Sequence, residues 1–243
     1  MHKFFVTEEH IHRDHIIIAG EDAGHIAKSL RMKKGEKIQV SNGQCQEYLG
    51  EITSLSKSEV RVSILQSFCN VSESKMNITL YQGVTKGSKM DLIIQKGVEL
   101  GVKRFVPVIT ERTIIDIDNK SMKKVERWQK IAIEAAKQSK RGMIPSVNNI
   151  LYLKDLQSEF KKNELNIIAY EEEKKVSLKK LLDNTPFIKN TGLLIGPEGG
   201  LTKDEVQFLG TIGGKCITLG ERILRTETAG FSIVSMLTYH YEM

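Results

Sequence analysis

The sequence predicts a two-domain α/β protein, in which a small all-β domain with the pattern of a barrel precedes a larger domain with a mainly parallel sheet. Before residue 70 the chain contains only short β-like runs separated by turn residues. After residue 75, strand-like and helix-like segments alternate, which is typical of a parallel sheet covered by helices. The polar segment NVSESK, residues 70–75, separates the two patterns, and we expect domains at residues 1–72 and 73–243.

Five short segments predict the strands of the first domain: residues 4–6, 16–19, 38–40, 48–53 and 60–65. The segment EVRVSIL, residues 59–65, alternates apolar and polar side chains with the period of two that a half-buried strand shows. Because a closed sheet has no exposed edge strand, a barrel is the arrangement we expect for this domain.

The second domain is predicted from strand-like segments that are each followed by a helical one. The strands are expected at residues 77–84, 104–109, 166–171, 191–196 and 215–220, and the helices at 89–100, 121–140, 178–182, from 202 onward and at 227–241. Thr202 and Glu205 have the spacing of a capping box, which predicts where the fourth of these helices begins.

Composition excludes several classes of protein. The hydrophobic fraction of 40% and the charged fraction of 27% are typical of a water-soluble globular chain. No apolar run approaches the roughly 20 residues of a membrane-spanning helix, and the first residues lack a signal-peptide pattern. Cys45, Cys69 and Cys216 are odd in number and widely spaced, which favours free thiols. We therefore expect a cytoplasmic protein with no membrane partner.

The charge balance favours a polyanionic partner. The net charge is +6 and the isoelectric point is near 9.1. Positive charge is concentrated in RMKKGEK, residues 31–37, and in SKRGM, residues 139–143. Each cluster fits either a nucleic-acid contact or an ordinary solvated surface, and the sequence leaves both interpretations open.

Three predicted loops follow strand ends, where open parallel sheets bind their ligands. They are GPEGG at residues 196–200, LGERILRTETAG at residues 219–230, and the segment 169–171 with the sequence AYE. Glycine lets backbone approach a ligand closely or adopt a positive φ. Strand-to-helix turns often contain Gly and Pro for purely structural reasons, but two such loops at neighbouring strand ends favour a binding site.

Other nucleotide, hydrolase and metal signatures are absent or incomplete. The segment GVTKGSK, residues 83–89, lacks a phosphate-binding loop because Ser88 stands where its second glycine belongs. No G-x-G-x-x-G, H-E-x-x-H or G-x-S-x-G occurs. His10, His12 and His15 are close in sequence but have no matching distal ligands, so exposed loop histidines are favoured over a metal site. No metal ligand is predicted.

The segments LLIGPEGGLTKDEV and LGERILRTETA together resemble the paired signature of the SPOUT methyltransferases, and more narrowly of the RsmE family. Members of that family methylate N3 of a uridine in 16S ribosomal RNA. Residues 86–113 and 127–147 resemble the family's helical segments, and KFFV with LRMKKGEKIQVSNG resembles its PUA-like barrel. The resemblance therefore covers nearly the whole chain.

The resemblance implies a C-terminal SPOUT domain with a deep trefoil knot at about residues 166–230, which binds S-adenosylmethionine, and a homodimer that acts on 16S ribosomal RNA of the small subunit. The cofactor residues that it implies are Ala169, Tyr170, Leu194, Ile195, Gly196, Pro197, Glu198, Gly199, Gly200, Leu219, Gly220, Ile223, Leu224 and Arg225. The RNA-binding residues that we expect are Arg13, Arg31, Lys33, Lys34 and Arg141.

Arg225 and Glu227 are the expected catalytic residues. Arg225 would stabilise negative charge on the uracil ring, and Glu227 would orient it or assist removal of the N3 proton. Glu227 has the alternative of capping the last helix. Two roles are open for Glu198 as well. Its carboxylate could lie beside the sulfonium or the ribose of the cofactor, or it could accept hydrogen bonds from N–H groups at the start of the next helix.

Two other functions remain open. A catalytically silent RNA-binding module would keep the same domains, and a SPOUT enzyme with another target would methylate, for example, a transfer RNA ribose 2′-OH. The N-terminal barrel and the KGVELG segment favour the ribosomal base methyltransferases.

Overall fold

The computed structural model describes residues 1–113 and 121–243, which form two compact units. The first unit contains Met1–Glu73 and Ala136–Ile144, and the second contains Ser74–Ala135 and Pro145–Met243. The boundary near residue 73 lies beside the predicted one, but residues 136–144, which the sequence predicts in the second domain, belong to the first unit.

The first unit is built on one five-stranded sheet of order β1-β3-β4-β5-β2. Its elements are β1 (Lys3–Phe5), β2 (His15–Ala19), α1 (Gly20–Gly24), β3 (Lys37–Ser41), β4 (Gln46–Leu55) and β5 (Glu59–Cys69), with short 3₁₀ and π turns at Glu8–His10 and His25–Ser29. Only β1 and β3 pair in parallel. Buried hydrophobic side chains from every strand form the core, among them Phe4, Ile16, Ile38, Ile52 and Val62.

The sheet pairs along an open path from β1 to β2, whereas the sequence predicted a closed barrel. The segment Ala136–Ile144 lies at the β1 end, where Lys3 donates hydrogen bonds to the carbonyl oxygens of Lys140 and Arg141. Lys3 is buried and also pairs with the carboxylate of Glu47. Arg141 lies 2.8 Å from Glu73, and both side chains are less than 10% exposed. These long-range bonds fix the segment to the first unit, and local sequence pattern could not predict them.

The second unit contains a seven-stranded sheet of order β12-β10-β11-β6-β7-β8, with β9 also paired to β7. Every pairing in it is parallel, so the predicted mainly parallel sheet is confirmed. The strands are β6 (Asn77–Gly83), β7 (Arg104–Ile109), β8 (Ser146–Val147), β9 (Leu151–Tyr152), β10 (Leu165–Ala169), β11 (Asn190–Ile195) and β12 (Gly214–Ile217). The helices are α2 (Lys89–Glu99), α3 (Ser121–Gln138), α4 (Gln157–Phe160), α5 (Leu178–Asp183), α6 (Lys203–Thr211) and α7 (Thr226–Glu242).

The register of four neighbouring strands brings their carboxyl ends together. Ala169 of β10 is paired with Ile195 of β11 and with Ile217 of β12, and Ile195 is in turn paired with Gln82 of β6. Because parallel strands end at the same edge, the loops that follow β10, β11 and β12 meet there. The predicted capping box of α6 is confirmed, since Thr202 and Glu205 bond each other's backbone N–H groups.

Candidate active site

A cavity of about 740 Å³ lies at the carboxyl ends of β10, β11 and β12. Its walls come from the three loops that the sequence singled out, together with the side chain of Lys89 from the start of α2. Cavities of this size hold cofactor-sized ligands. The lining residues are Lys89, residues 169–172, Lys174, residues 195–201, residues 218–227 and Ala229.

Packing within the protein explains the glycines at and beside GPEGG. A Cβ atom on Gly83, at the end of β6, would overlap the backbone nitrogen of Pro197. Gly200 has a φ of +70°, and a Cβ there would overlap Oε1 of Glu171. A Cβ on Gly199 would lie 3.1 Å from Cβ of Arg112. For the predicted glycines of this loop the sequence allows close approach of a ligand or a positive φ, and the φ of Gly200 confirms the second alternative at that position. Neighbouring protein atoms restrict Gly83 and Gly199 as well.

Glu198 binds the segment that leads into α2. Its Oε1 accepts hydrogen bonds from the backbone N–H of Lys86 at 3.3 Å and from Nζ of Lys89 at 2.9 Å. Burial raises the pKa of Glu198, but the Lys89 ammonium and the backbone donors outweigh it and hold the pKa below its ordinary value. The carboxylate therefore stays ionised and ties the GPEGG loop to the start of α2, a partner that neither sequence alternative contained.

The third loop turns sharply before α7 begins. Gly220 has a φ of +99°, and its N–H donates to Oγ1 of Thr218 at 3.1 Å. Ile223 is 86% exposed although it lines the cavity. An apolar side chain so exposed at a cavity wall is available to contact a ligand.

Arg225 and Glu227 flank the first residue of α7. Arg225 is the exposed N-cap residue, and its carbonyl oxygen accepts a hydrogen bond of 2.9 Å from the N–H of Ala229. Glu227 lies in the first turn, and its Oε2 is buried without a hydrogen-bond partner among the described residues. A buried carboxylate oxygen without a donor is costly, so it is a candidate to interact with a bound molecule.

The wall formed by the β10 loop is acidic. Tyr170 donates its backbone N–H to the carbonyl oxygen of Ile217 at 3.1 Å, which joins this loop to β12. Burial raises the pKa of the Tyr170 phenol, and the nearby carboxylates of Glu172 and Glu171 raise it further. The phenol therefore stays protonated and can donate a hydrogen bond.

The structure brings almost all of the predicted cofactor residues to this cavity. Leu194 is the exception, because it packs in the hydrophobic core of the second unit with Tyr81 and Val106. Alternate residues of a strand face opposite sides, so Leu194 and Ile195 cannot both reach the same wall. Lys89 and Thr218 lie outside the three loops that the sequence indicates and carry no local signal of their own, whereas Glu171 and Thr226 lie within these loops but are not among the predicted cofactor residues.

The predicted RNA-binding residues lie in the first unit. Arg13, Arg31, Lys33 and Lys34 are exposed. Arg141 is only 4% exposed, and its guanidinium donates to both carboxylate oxygens of Glu73. The prediction that Arg141 contacts RNA is therefore corrected to a structural role, since its charge is already paired inside the unit.

The three histidines near residue 12 make contacts of their own. The rings of His12 and His15 stack with centroids 4.5 Å apart, and His15 also contacts Asp14 and Arg61. Within residues 1–113 and 121–243, no group of three metal-ligating side chains was found, and no helix there is long and apolar enough to cross a membrane.

Comparison with known proteins shows which class of protein this chain belongs to. A family model of the RNA methyltransferase domain matches residues 72–238, and one of the PUA domain of RNA methyltransferases matches residues 18–65. The ribosomal RNA small subunit methyltransferase E of Bacillus subtilis is 35% identical over 231 residues, 93% of this chain and 90% of that protein. The protein of the same name from Aquifex aeolicus is 35% identical over 243 residues, 98% of this chain and 99% of that protein.

A solved structure agrees with these relatives. The Neisseria gonorrhoeae ribosomal RNA small subunit methyltransferase E, bound to S-adenosylmethionine, superposes with a TM-score of 0.89 at 30% identity, covering 99% of this chain and 98% of that chain. The protein is thus an RNA methyltransferase. The chain belongs to the ribosomal RNA small subunit methyltransferase E family.

Proposed function

We propose that this protein transfers a methyl group from S-adenosylmethionine to N3 of one uridine in 16S ribosomal RNA. The observation that carries the proposal is that Arg225 and Glu227 line one cavity, and that Oε2 of Glu227 has no hydrogen-bond partner among the described residues. The RNA methyltransferase domain match over residues 72–238 supplies the reaction class.

The cavity fits the cofactor chemically. Backbone N–H and C=O groups of the 169–171, 196–200 and 219–225 loops can meet the polar edges of adenine and ribose, and Leu219 and Leu224 offer apolar contact. The carboxylates of Glu171 and Glu172 favour a positively charged sulfonium in this cavity. When bound, S-adenosylmethionine supplies an electrophilic methyl group.

The residues of this chain would then handle the charge and the proton. The bond between N3 and the methyl carbon forms while the sulfur–methyl bond breaks, and the breaking pair of electrons stays on sulfur. Uridine N3 carries a proton, and the carboxylate of Glu227, a residue of the cavity lining, would accept it. Negative charge that develops on O2 and O4 would be stabilised by the guanidinium of Arg225, a contribution of about 3–4 kcal/mol for a well-placed donor.

Single-turnover methylation of 16S RNA from a strain that lacks this gene tests these roles. Glu227→Gln should lower the rate about 10²–10⁴-fold while calorimetry finds near-normal S-adenosylmethionine binding. Glu99→Gln is the matched control, because Glu99 pairs with Lys96 on α2 away from the cavity lining and should react at the normal rate. A Glu227→Gln enzyme with the control's rate would remove Glu227 from the mechanism.

The position of the methyl group has its own test. Methylation at N3 blocks Watson–Crick pairing, so reverse transcription of the treated 16S RNA should stop one nucleotide before a single uridine. The stop should require both enzyme and cofactor. Full read-through of methylated RNA would exclude N3 as the acceptor.

We assign RNA docking to the first unit and catalysis to the second. Arg13, Arg31, Lys33 and Lys34 are exposed on the first unit, and residues 18–65 match the PUA domain of RNA methyltransferases. Phosphate contacts of this kind position an RNA without reading its sequence. A 16S RNA substrate, free or within the small subunit, also implies action in the cytoplasm.

We further infer a homodimer and a knotted second unit. On α7, Met236 is 47% and Tyr239 is 74% exposed, and these residues share a helix face. Sedimentation should therefore give twice the 27.4 kDa chain mass, and Met236→Glu with Tyr239→Glu should give monomers. The knot is what the family resemblance implies for residues 166–230. Along this part of the chain, α7 returns from the edge strand β12 past β10 and β11 to bond Gln82 of β6.

A further inference from the structure

A chain of buried hydrogen bonds joins the central strand β6 to both principal walls of the cavity. The side chain of Gln82 is 1% exposed, and its Nε2 donates to the carbonyl oxygen of Gly83 at 3.0 Å and to Oγ1 of Thr226 at 2.9 Å. The hydroxyl of Thr226 donates in turn to the carbonyl oxygen of Gly196 at 2.6 Å. We call these bonds the Gln82–Thr226 relay.

The direction of the relay is fixed by its two ends. Carbonyl oxygens can only accept, so Gln82 must present its N–H groups to Gly83 and Thr226, and Thr226 must give its own proton to Gly196. The single hydroxyl of Thr226 thus accepts one bond and donates another. A valine at this position would keep the shape of the side chain and lose both bonds.

The relay meets the active-site residues on both sides. Gly196 is the first residue of the GPEGG loop, and Thr226 lies between Arg225 and Glu227 at the start of α7. Strand β6, which carries Gln82, is fixed by its neighbour in the sheet, because Gln82 is paired in register with Ile195 of β11. The position of the Arg225 and Glu227 backbone relative to the GPEGG loop is therefore set through the hydroxyl of Thr226.

We propose that Gln82 and Thr226 are positioning residues for methyl transfer, which hold the start of α7 against the cofactor loop. The proposal rests on the proposed function of Arg225 and Glu227. A displacement of about 1 Å in the reacting groups can cost on the order of 10²-fold in rate. Loss of the relay should consequently slow the chemical step more than it weakens the binding of either substrate.

The first experiment compares Thr226→Val, Thr226→Ser and Thr191→Val in the full-length protein. Thr191 is a matched control, because it is fully buried in β11 and its hydroxyl has no hydrogen-bond partner in the described chain. At saturating RNA and S-adenosylmethionine, Thr226→Val should transfer labelled methyl about 10–100-fold more slowly in a single turnover. Thr226→Ser should recover most of the rate, and Thr191→Val should keep it.

Melting temperature and cofactor affinity separate positioning from general damage. If Thr226→Val has the single-turnover rate of Thr191→Val, the proposal is wrong. It is equally wrong if the rates of Thr226→Val and Thr191→Val differ only as much as their melting temperatures differ. The same holds if Thr226→Ser is as slow as Thr226→Val.

Gln82→Met provides a second test that does not depend on the folding of Thr226→Val. It leaves the bond from Thr226 to Gly196 in place and removes Oε1 of Gln82, a buried acceptor without a partner among the described residues. The variant should be slow without being less stable, and combining it with Thr226→Val should cost less than the product of the two effects. If the rate of the double variant falls by the product of the two single effects, the two residues act independently and a single relay is contradicted. These experiments measure the total methyl label transferred to RNA, at whichever atom. Methylation at an atom other than N3 would therefore refute the proposed function, but the comparison of rates among the relay variants would still hold.

Discussion

Nζ of Lys89 lies 2.9 Å from Oε1 of Glu198, and this ion pair joins the start of α2 to the GPEGG loop. The two side chains are 39% and 34% exposed, so solvent screens the pair. Its consequence is local: it keeps Glu198 ionised and holds the loop that forms one wall of the cavity.

Replacing Lys89 with methionine should raise the pKa of Glu198, because the carboxylate loses the ammonium that stabilises its charged form. S-adenosylmethionine affinity should fall by no more than about fivefold, the range of a partly exposed pair. Carbon NMR of the labelled carboxyl groups follows the pKa, and Lys96→Met is the control, because Lys96 pairs with Glu99 on the same helix. An unchanged Glu198 pKa would show that the pair does not exist in solution.

Gly200→Ala should reduce cofactor binding and stability together. A residue with a side chain loses about 1–2 kcal/mol in the left-handed region that Gly200 occupies, and its Cβ would also displace Glu171. Gly210→Ala is the matched control, because Gly210 lies in helix α6 and a Cβ there meets nothing within 4 Å. That variant should gain up to about 1 kcal/mol of stability. Calorimetry measures cofactor binding and urea unfolding measures stability. If Gly200→Ala and Gly210→Ala had the same cofactor affinity and the same stability, the loop geometry would be contradicted.

Arg31→Glu combined with Lys34→Glu should weaken RNA binding and flatten its dependence on salt. Each phosphate contact that is lost reduces the slope of log affinity against log salt by about 0.7–0.9, so the pair should remove about 1.4–1.8. S-adenosylmethionine binding should not change. Filter binding across a salt series measures both the affinity and the slope. Lys57→Glu is the control for Lys34→Glu, because each reverses one exposed charge on the same unit. Wild-type affinity at every salt concentration would remove these residues from the RNA interface.

Arg141→Met should destabilise the first unit by roughly 3–5 kcal/mol, because it leaves the buried carboxylate of Glu73 without its cation. Arg141→Lys, which keeps the charge but not both hydrogen bonds, should lie between this variant and the wild type. Urea unfolding measures the loss. An Arg141→Met variant that is as stable as the wild type but does not bind RNA would contradict the structural role and assign Arg141 to RNA binding.

The same pair predicts a dependence on pH. Burial raises the pKa of Glu73, but Arg141 and the backbone N–H groups of Met143 and Gly142 outweigh it, so the pKa lies below its ordinary value. A carboxyl with a depressed folded pKa stabilises the protein above its unfolded pKa of about 4.3, and this contribution is lost as the pH falls through the folded pKa. The acid-dependent loss of stability should be smaller in Arg141→Met, and an identical pH profile would contradict the ion pair.

The cavity was predictable because its loops carry local signals. GPEGG and LGERILRTETAG follow apolar strand segments, and parallel strands bring such loops to one edge of the sheet. The capping box of Thr202 and Glu205 marked the start of α6 for the same reason, since its partners are only three residues apart.

The parts that were not predictable depend on pairs far apart in the chain. Gln82 and Thr226 are separated by 144 residues, and Lys89 and Glu198 by 109. Arg141 stands in a basic run that resembles a nucleic-acid contact, and only its approach to Glu73, 68 residues away, reveals the ion pair. A single sequence does not contain the pairing information that these contacts require.

The most direct test of the account is the mass of the nucleosides released from 16S RNA after reaction. RNA from a strain that lacks this gene would be incubated with the protein and S-adenosylmethionine carrying a deuterated methyl group, then digested to nucleosides. The account predicts that the label appears in 3-methyluridine, at one per RNA molecule, and that Glu227→Gln introduces it about 10²–10⁴-fold more slowly. Label in a 2′-O-methylated ribose or in another base, or 16S RNA without label, would contradict it.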